Sequence, residues 1–432
     1  MTVTSKELAK SRSLLDRASR TIPGWTQTLS KNPTQWVQGV APNYVARAQG
    51  AHIWDVDGNR YVDFPMALGP VILGYAHAAV NEAVRRQLED GVVFTLPHPL
   101  EVEVAERIVR RVPGADMVRF GKSGSDATSA AIRLARACTG RARVAAAGYH
   151  GWHDWYIGST SRADGVPQPV RELITTFRFN DLASLDEALD SQCGDTAAVI
   201  LEPAGSSEPV SGFLEGVIAR AHAAGALVIF DEVITGFRIA PGGAQERCGV
   251  AADLVTFGKA LGNGLPISAI AGKREYMERL ADVFVSGTHG GETLSLAAAA
   301  VVLDTLDGKA YVQLHTKGER LREGFGNAVR VRGLSEWVTV TGAAPMITVA
   351  VHEPGPDPAR LVAKSVIQQE MLKHGVLYNG SHFQCLSHTD DDIDQAILAF
   401  EAATSRLAEG WPDRLEPLLE GPPLSPAFRP VM

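Results

Sequence analysis

An acid and an amine stand at the ends of two short apolar runs near the middle of this chain. Leu227–Phe230 (LVIF) leads into Asp231, and Leu254–Phe257 (LVTF) leads through Gly258 to Lys259. Short apolar runs bounded by turn signals read as buried strands. In an open α/β sheet the ligand lies outside the carboxyl ends of the strands, so two such strands deliver a carboxylate and an amine to one rim. A lysine placed there is desolvated. Desolvation disfavours the ammonium form, lowers the pKa and leaves a nucleophile that forms Schiff bases with carbonyl compounds. Gly258, Gly262 and Gly264 remove side chains around it, so a flat ligand can approach the backbone. Glu202, which closes the run AAVIL, is a third acid at the same rim. Taken singly these residues have plainer readings, with Asp231 as a cap on the next element and Lys259 as a solvated loop residue.

The rest of the composition bounds the class of molecule. A chain of 432 residues with 45% apolar and 21% charged residues is long enough for one large domain and a smaller one. A net charge of −8 without a lysine or arginine block argues against nucleic acid as the main partner. The cysteines at 138, 193, 248 and 385 form no CxxC pair, which suits a reducing compartment and no structural zinc. The first residues are polar and helical in pattern, with no apolar signal core, and no run is long enough to span a bilayer. A cytoplasmic enzyme is the expectation.

Around the acid and the amine, the periodicity predicts the elements that must hold them. Residues 5–20 read as an amphipathic helix, and Pro23-Gly24 ends it. Residues 44–64 alternate around Asp57-Gly58 as a β-hairpin. Helices are predicted over 78–91 and 101–112. The strand MVRF then runs into GKSGSDATSAAIRLARACTG. Here Ser123, Gly124 and Ser125 precede an alanine-rich helix that ends near Gly140. A helix start built of small residues presents free N–H groups and the positive end of the dipole to an anion. Ser125 and Asp126 equally suit an ordinary N-cap. Tyr149, His150, His153 and Asp154 follow the next strand, and no HExxH spacing or cysteine partner makes them a zinc site. Further helices are expected at 182–191, 312–330 and 358–374, with a strand at 347–351 and a last helix capped at Thr389. The proline-rich tail 411–432 is expected to lie extended on the surface.

These segments also resemble a known family. DEVITGFR at 231–238 and TFGKALGNGLPISAIAGKREYM at 256–277 are similar to the central motifs of class III aminotransferases, which depend on pyridoxal phosphate (PLP), and most closely to the glutamate-semialdehyde-aminomutase-like branch. The hairpin at 44–64, SGSDA at 123–127, the YHG at 149–151, VILEP at 199–203, SGTHGGE at 286–292 and HTDDDID at 388–394 resemble further family motifs in the family's order. The resemblance implies an α/β architecture of the PLP-dependent transferase fold type I. A large domain at 71–305, with a mostly parallel sheet between helices, would be flanked by an N-terminal segment at 1–70 and a smaller α+β domain at 306–432. It implies Lys259 as the covalent cofactor residue and Asp231 as the partner of the pyridine nitrogen. It further implies Ser123, Gly124 and Ser125 at the phosphate, Tyr149 and Val233 on the two ring faces, and Glu202 and Ser207 nearby. Thr288 would reach the phosphate of a second subunit, which makes a homodimer with composite sites.

Substrate identity is the thinnest part of this reading. The resemblance brings Trp25, Thr28 and Glu208 as substrate contacts. AGSSEP at 204–209 departs from the aminomutase, and GGET at 290–293 replaces its GNP, as in relatives that act on sugar-like substrates. Many class III enzymes acting on ω-amino acids hold a distal carboxylate with an arginine of the C-terminal domain, and YNGSHFQCLSHT at 378–389 contains none. A sugar, aminocyclitol or aminoglycoside carbonyl is therefore the first expectation. A 2,1-aminomutase, an amino-acid or ω-amino-acid aminotransferase, and a PLP epimerase are the alternatives.

Overall fold

The computed structural model describes residues 7–352 and 357–426. They divide into two compact units, one running Ala78–Tyr311 and the other formed by the chain up to His77 and from Val312 onward. The continuous unit is built on seven strands: β1 Met117–Gly121, β2 Arg143–Ala147, β3 Ile174–Thr176, β4 Thr196–Leu201, β5 Leu227–Glu232, β6 Leu254–Phe257 and β7 Ser268–Gly272. Their order across the sheet is β1-β7-β6-β5-β4-β2-β3. The pairs β6/β5, β5/β4, β4/β2 and β2/β3 are parallel, while β7 runs antiparallel to both β6 and β1. Apart from β7, all strands therefore end at one edge. Every residue of β4, β5, β6 and β7 is buried, which is why they read as unbroken apolar runs.

The Gly124–Thr139 helix packs across this sheet through Ala130, Ala131, Leu134 and Ala135, in a core shared with Ile200, Ile229 and Ile270. Its N-cap is Ser123 rather than Ser125. Ser123 accepts from the amide of Asp126 while Asp126 accepts from the amide of Ser123, and Gly140 ends the helix at φ +68°. With Ser123 at the cap, the amides of Gly124 and Ser125 are the first of the helix and have no partner inside it.

The other unit holds two small sheets. One contains the predicted hairpin, His52–Asp55 against Arg60–Asp63, with Val376–Leu377 parallel to its second strand. The second pairs Met346–Val351 with Val338–Thr341 and with Ser381–Phe383. Thr389 caps the Asp390–Gly410 helix with a reciprocal box to Asp392, as its acidic start predicts. The tail is more firmly held than its composition implies. Leu415 is buried, Leu424 N donates to Ser365 Oγ and Ser425 N to the Thr34 carbonyl. Residues 427–432 of that tail, and 5–6 of the first helix, lie outside the described residues.

The core of this unit also carries two buried imidazoles. His382 sits within 5.0–5.7 Å of the rings of Tyr378, Phe325 and Phe64. His388 stacks on Phe64 at 4.5 Å, and its Nδ1 accepts from the amide of Cys385. Burial pushes the two pKa values down to about 3 and about 4. For His382 the neighbouring His388 adds to the depression. For His388 the carboxylate of Asp392 opposes it, while Lys317 and His52 reinforce it. Burial raises nearby Asp63 to about 6 against bonds from Tyr75 and the Met66 amide.

The signs differ. Lowered histidine values give stability that is complete above about pH 6.5 and drains away on acidification, whereas Asp63, protonated more readily when folded, returns part of it. The histidine shifts together exceed that of Asp63, so acid is expected to destabilise the fold by several kcal/mol through this cluster. Thermal unfolding followed between pH 8 and pH 4 should show a falling midpoint, and His382→Phe should flatten that slope. An unchanged slope in the variant would place the acid sensitivity elsewhere.

Candidate active site

Four parallel strands bring their carboxyl ends, and the residues just beyond them, to one rim. Asp231 lies in β5, opposite Thr256 of β6, and Lys259 follows β6 after one glycine. Glu202 follows β4, and Tyr149 and His150 follow β2 after Gly148. The predicted acid and amine thus share an edge, and the turn after β2 joins them.

Asp231 is 4% exposed, and a carboxylate so buried requires partners. His150 Nδ1 meets its Oδ2 at 2.8 Å, while Thr256 Oγ1 and the Val233 amide donate to its Oδ1 at 3.2 and 3.1 Å. The other imidazole nitrogen of His150 lies 3.1 Å from the Ala147 carbonyl. A carbonyl only accepts, so Nε2 carries a proton and the Nδ1–Asp231 contact holds a second. The ring is fixed by Tyr156, edge-on at 5.2 Å, and by Trp155, stacked at 6.2 Å. Sequence reasoning left His150 among loop histidines that form hydrogen bonds and gave it no place at the site. The available signal was its position, one residue after the aromatic of YHG and at the end of a strand neighbouring β4.

Lys259 adopts φ +39°, a conformation that non-glycine residues seldom occupy and that recurs at functional sites. Burial lowers its pKa to about 8, with Arg238 adding to the depression and Glu202 and Asp231 opposing it. Glu202 is itself pushed up, first by burial and then by the charge of Asp231, and its Oε2 accepts from the Tyr149 amide at 3.1 Å. Gly148 is required here, because a Cβ on it would fall 2.6 Å from that same oxygen.

Val233 lies between two glycines. A Cβ on Gly124 would come within 2.9 Å of its Cγ1, and one on Gly258 within 3.3 Å. This valine therefore holds the start of the Gly124–Thr139 helix beside the lysine turn. Ser123 Oγ is engaged in the cap, and Ser125 Oγ accepts from the Trp152 amide at 3.2 Å. The amides of Gly124 and Ser125 donate to no protein acceptor among the described residues. Two free amides at a helix start, a desolvated amine and a compensated carboxylate form a donor set suited to a phosphate, an aldehyde and a ring nitrogen. The site fits PLP.

The remaining candidates are placed as follows. Tyr149 is 45% exposed and edge-on to Tyr156 at 5.6 Å. Ser207 is exposed, and its carbonyl accepts from the Gly205 amide. The Glu208 carboxylate is 2.9 Å from Arg247, so its charge is already matched by a neighbour rather than left for a substrate. Thr288 is exposed and lines a groove of about 1450 Å³ together with Lys122, Asp126 and His153. His153, once a conceivable ligand, bonds Ser129 Oγ at 2.7 Å. Trp25 and Thr28 belong to the other unit, the first ending a short turn and the second opening the next.

Comparison with known proteins gives the family. Residues 36–404 match the family model described as aminotransferase class-III. The chain is 36% identical to the glutamate-1-semialdehyde 2,1-aminomutase of Methanothrix thermoacetophila, covering 91% of this chain and 96% of that protein. It is 35% identical to the 3-aminobutyryl-CoA aminotransferase of Cloacimonas acidaminovorans, covering 93% and 98%. Among solved structures, the PLP internal aldimine form of the Sphingopyxis sp. MTA144 FumI protein aligns with a TM-score of 0.86 at 30% identity. That alignment covers 95% of this chain and all of that one.

The lowered pKa of Lys259 is open to direct measurement. In cofactor-free protein, the rate at which an amine-selective reagent labels the Gly258–Ala260 peptide should rise with a midpoint near pH 8, because only the neutral amine reacts. A midpoint at the ordinary lysine value would mean that Lys259 is solvated.

Proposed function

Since this chain belongs to the class III aminotransferases and is a PLP-dependent enzyme that moves amino groups between small molecules, we propose that it acts on an amine or carbonyl lying away from any α-carboxylate. The observation that carries the chemistry is the desolvated Lys259 amine set at one rim with the Asp231–His150 pair. PLP, when bound, supplies an aldehyde that takes up amines and a ring that accepts electrons. The residues of the chain do the rest. The Lys259 amine would hold the cofactor, and its Nζ is the base placed to take a proton from the substrate carbon that bears nitrogen. Asp231, bonded by His150 and Thr256, would face the ring nitrogen and keep it protonated. The amides of Gly124 and Ser125, with Ser123 as their cap, receive the phosphate. Val233 and Tyr149 would pack against the ring, and Glu202 and Ser207 would lie near it.

Support for the substrate class comes from the names of the relatives. A 3-aminobutyryl thioester carries its amine on the third carbon, and a glutamate 1-semialdehyde carries its carbonyl where the α-carboxylate would be. A sugar or aminocyclitol carbonyl is the second reading, favoured by the absence of arginine from 378–389. A panel of 3-amino acids, terminal amines, amino sugars and ordinary α-amino acids, each paired with an α-keto acid and read by mass spectrometry, separates them. The proposal expects a new carbonyl product from the first two groups. Product from amino sugars alone would favour the second reading, and an isomer formed without any acceptor would show an aminomutase.

Thr288 is proposed to complete the phosphate site of a second subunit in a closed, two-fold dimer. Lys259→Ala and Thr288→Val should each be impaired alone. Mixed in equal amounts after subunit exchange, they should regain up to about a quarter of wild-type activity, because half the dimers are mixed and each mixed dimer has one intact site. No recovery beyond the sum of the separate variants would end the composite-site reading. Lys259→Ala by itself should keep its fold and lose transamination together with the yellow colour of the bound cofactor.

A further inference from the structure

An ion pair ties the turn that carries Thr288 to the turn that opens the Gly124–Thr139 helix. Lys122 lies between the end of β1 and the Ser123 cap, and its Nζ donates to Glu292 Oε2 at 2.9 Å, with the two side chains only 23% and 12% exposed. The same Glu292 carboxylate caps the Thr293–Thr305 helix, accepting from Leu294 N at 2.7 Å and from Ser295 Oγ at 2.6 Å. Its neighbours in the GGET motif are seated just as closely. A Cβ on Gly290 would lie 3.3 Å from the Phe120 carbonyl, and one on Gly291 would lie 2.7 Å from Glu101 Oε1. Thr293 Oγ1 donates to the Gly91 carbonyl at 3.0 Å. On the other side of the pair, Asp126 Oδ2 accepts from the amides of Lys122 and Ser123 at 3.2 and 2.7 Å. The residues that seemed to mark a substrate class are thus accounted for by how this turn is seated.

We propose that Lys122 and Glu292 are positioning residues that hold the Gly124–Ser125 turn and the Thr288 turn in register with each other. One contact then governs both the grip of a subunit on its own cofactor phosphate and what it offers its neighbour. The inference rests on the reading that those two amides bind the phosphate and that Thr288 serves the partner. Both charges are largely withdrawn from water, so the pair is a charge-assisted bond rather than a screened surface contact. Lys122 is the informative residue, because removing it leaves Glu292 still capping its helix through Leu294 and Ser295.

The test is the rate at which PLP leaves the holoenzyme, with the thermal midpoint of the cofactor-stripped protein as the structural control. Lys122→Met should lose PLP about tenfold faster than wild type, the scale of one charge-assisted bond. Lys122→Arg should stay within about twofold, since it can remake the pair. All three stripped proteins should unfold at the same temperature. Gly124→Ala, which presses on Val233, tests the underlying reading. If both it and Lys122→Met retain PLP like wild type, the phosphate assignment has failed. If Gly124→Ala loses PLP while Lys122→Met does not, the assignment stands and the positioning role is overturned. A lowered midpoint in stripped Lys122→Met would also overturn it, by showing an ordinary contribution to stability.

Discussion

A carboxyl group in a dry interior needs the protein to replace the hydrogen bonds that water has ceased to give it, and Asp231 is where this chain meets that demand. Both its oxygens are engaged, one by His150 and the other by Thr256 and the Val233 amide. That arrangement explains much of what surrounds it. His150 must leave β2 at a fixed angle, so Gly148 gives way before Glu202, and Trp155 and Tyr156 close around the imidazole. The lysine two positions beyond β6 is desolvated by the same packing, and it is kept from losing its proton altogether by the two acids that share its rim. Removing one member of such a set would leave the others buried and uncompensated.

Close packing carries this arrangement to the rest of the site. Val233, immediately after the acidic strand end, fills the space that glycines leave at 124 and 258. The helix start, with its free amides, and the lysine turn are thereby set at fixed distances from the carboxylate. None of these contacts requires a flexible side chain to find its place. The geometry is accordingly preorganised, and a preorganised electrostatic environment is the largest single source of rate enhancement in many enzymes.

Less is decided by these contacts at the residues that the sequence suggested for the cofactor edge and the substrate. Glu208 is matched by Arg247 within the continuous unit, and Ser207 stands exposed on its loop. The segment 378–389, which offers no arginine, is instead rooted by His382 and His388 in an apolar core. Its composition is thus partly explained by packing.

Read alone, the sequence determined the fold class, the family, the dependence on PLP and the strand-end positions of Asp231 and Lys259. The strand ends were legible because fully buried parallel strands are written as unbroken apolar runs, and an ionisable residue at the end of one is conspicuous, whereas the family and the cofactor came from the resemblance of its motifs. The capped ends at Thr389 and Gly140 were equally legible, since capping is local chemistry. What it left open were the partners that meet through space. The bond between His150 and Asp231 spans strands β2 and β5, which lie far apart in the chain, and the bond from Lys122 to Glu292 spans a still greater separation. Ser123 took the cap that the sequence suggested for Ser125 or Asp126, because only a backbone with a defined helix start places it. The tail that composition marked as surface is also fastened to Ser365 and Thr34 by hydrogen bonds that composition does not show. Local pattern encodes which residues can be buried or can turn the chain, whereas the pairing of one buried polar group with another depends on the register and order of strands, which only the tertiary structure decides.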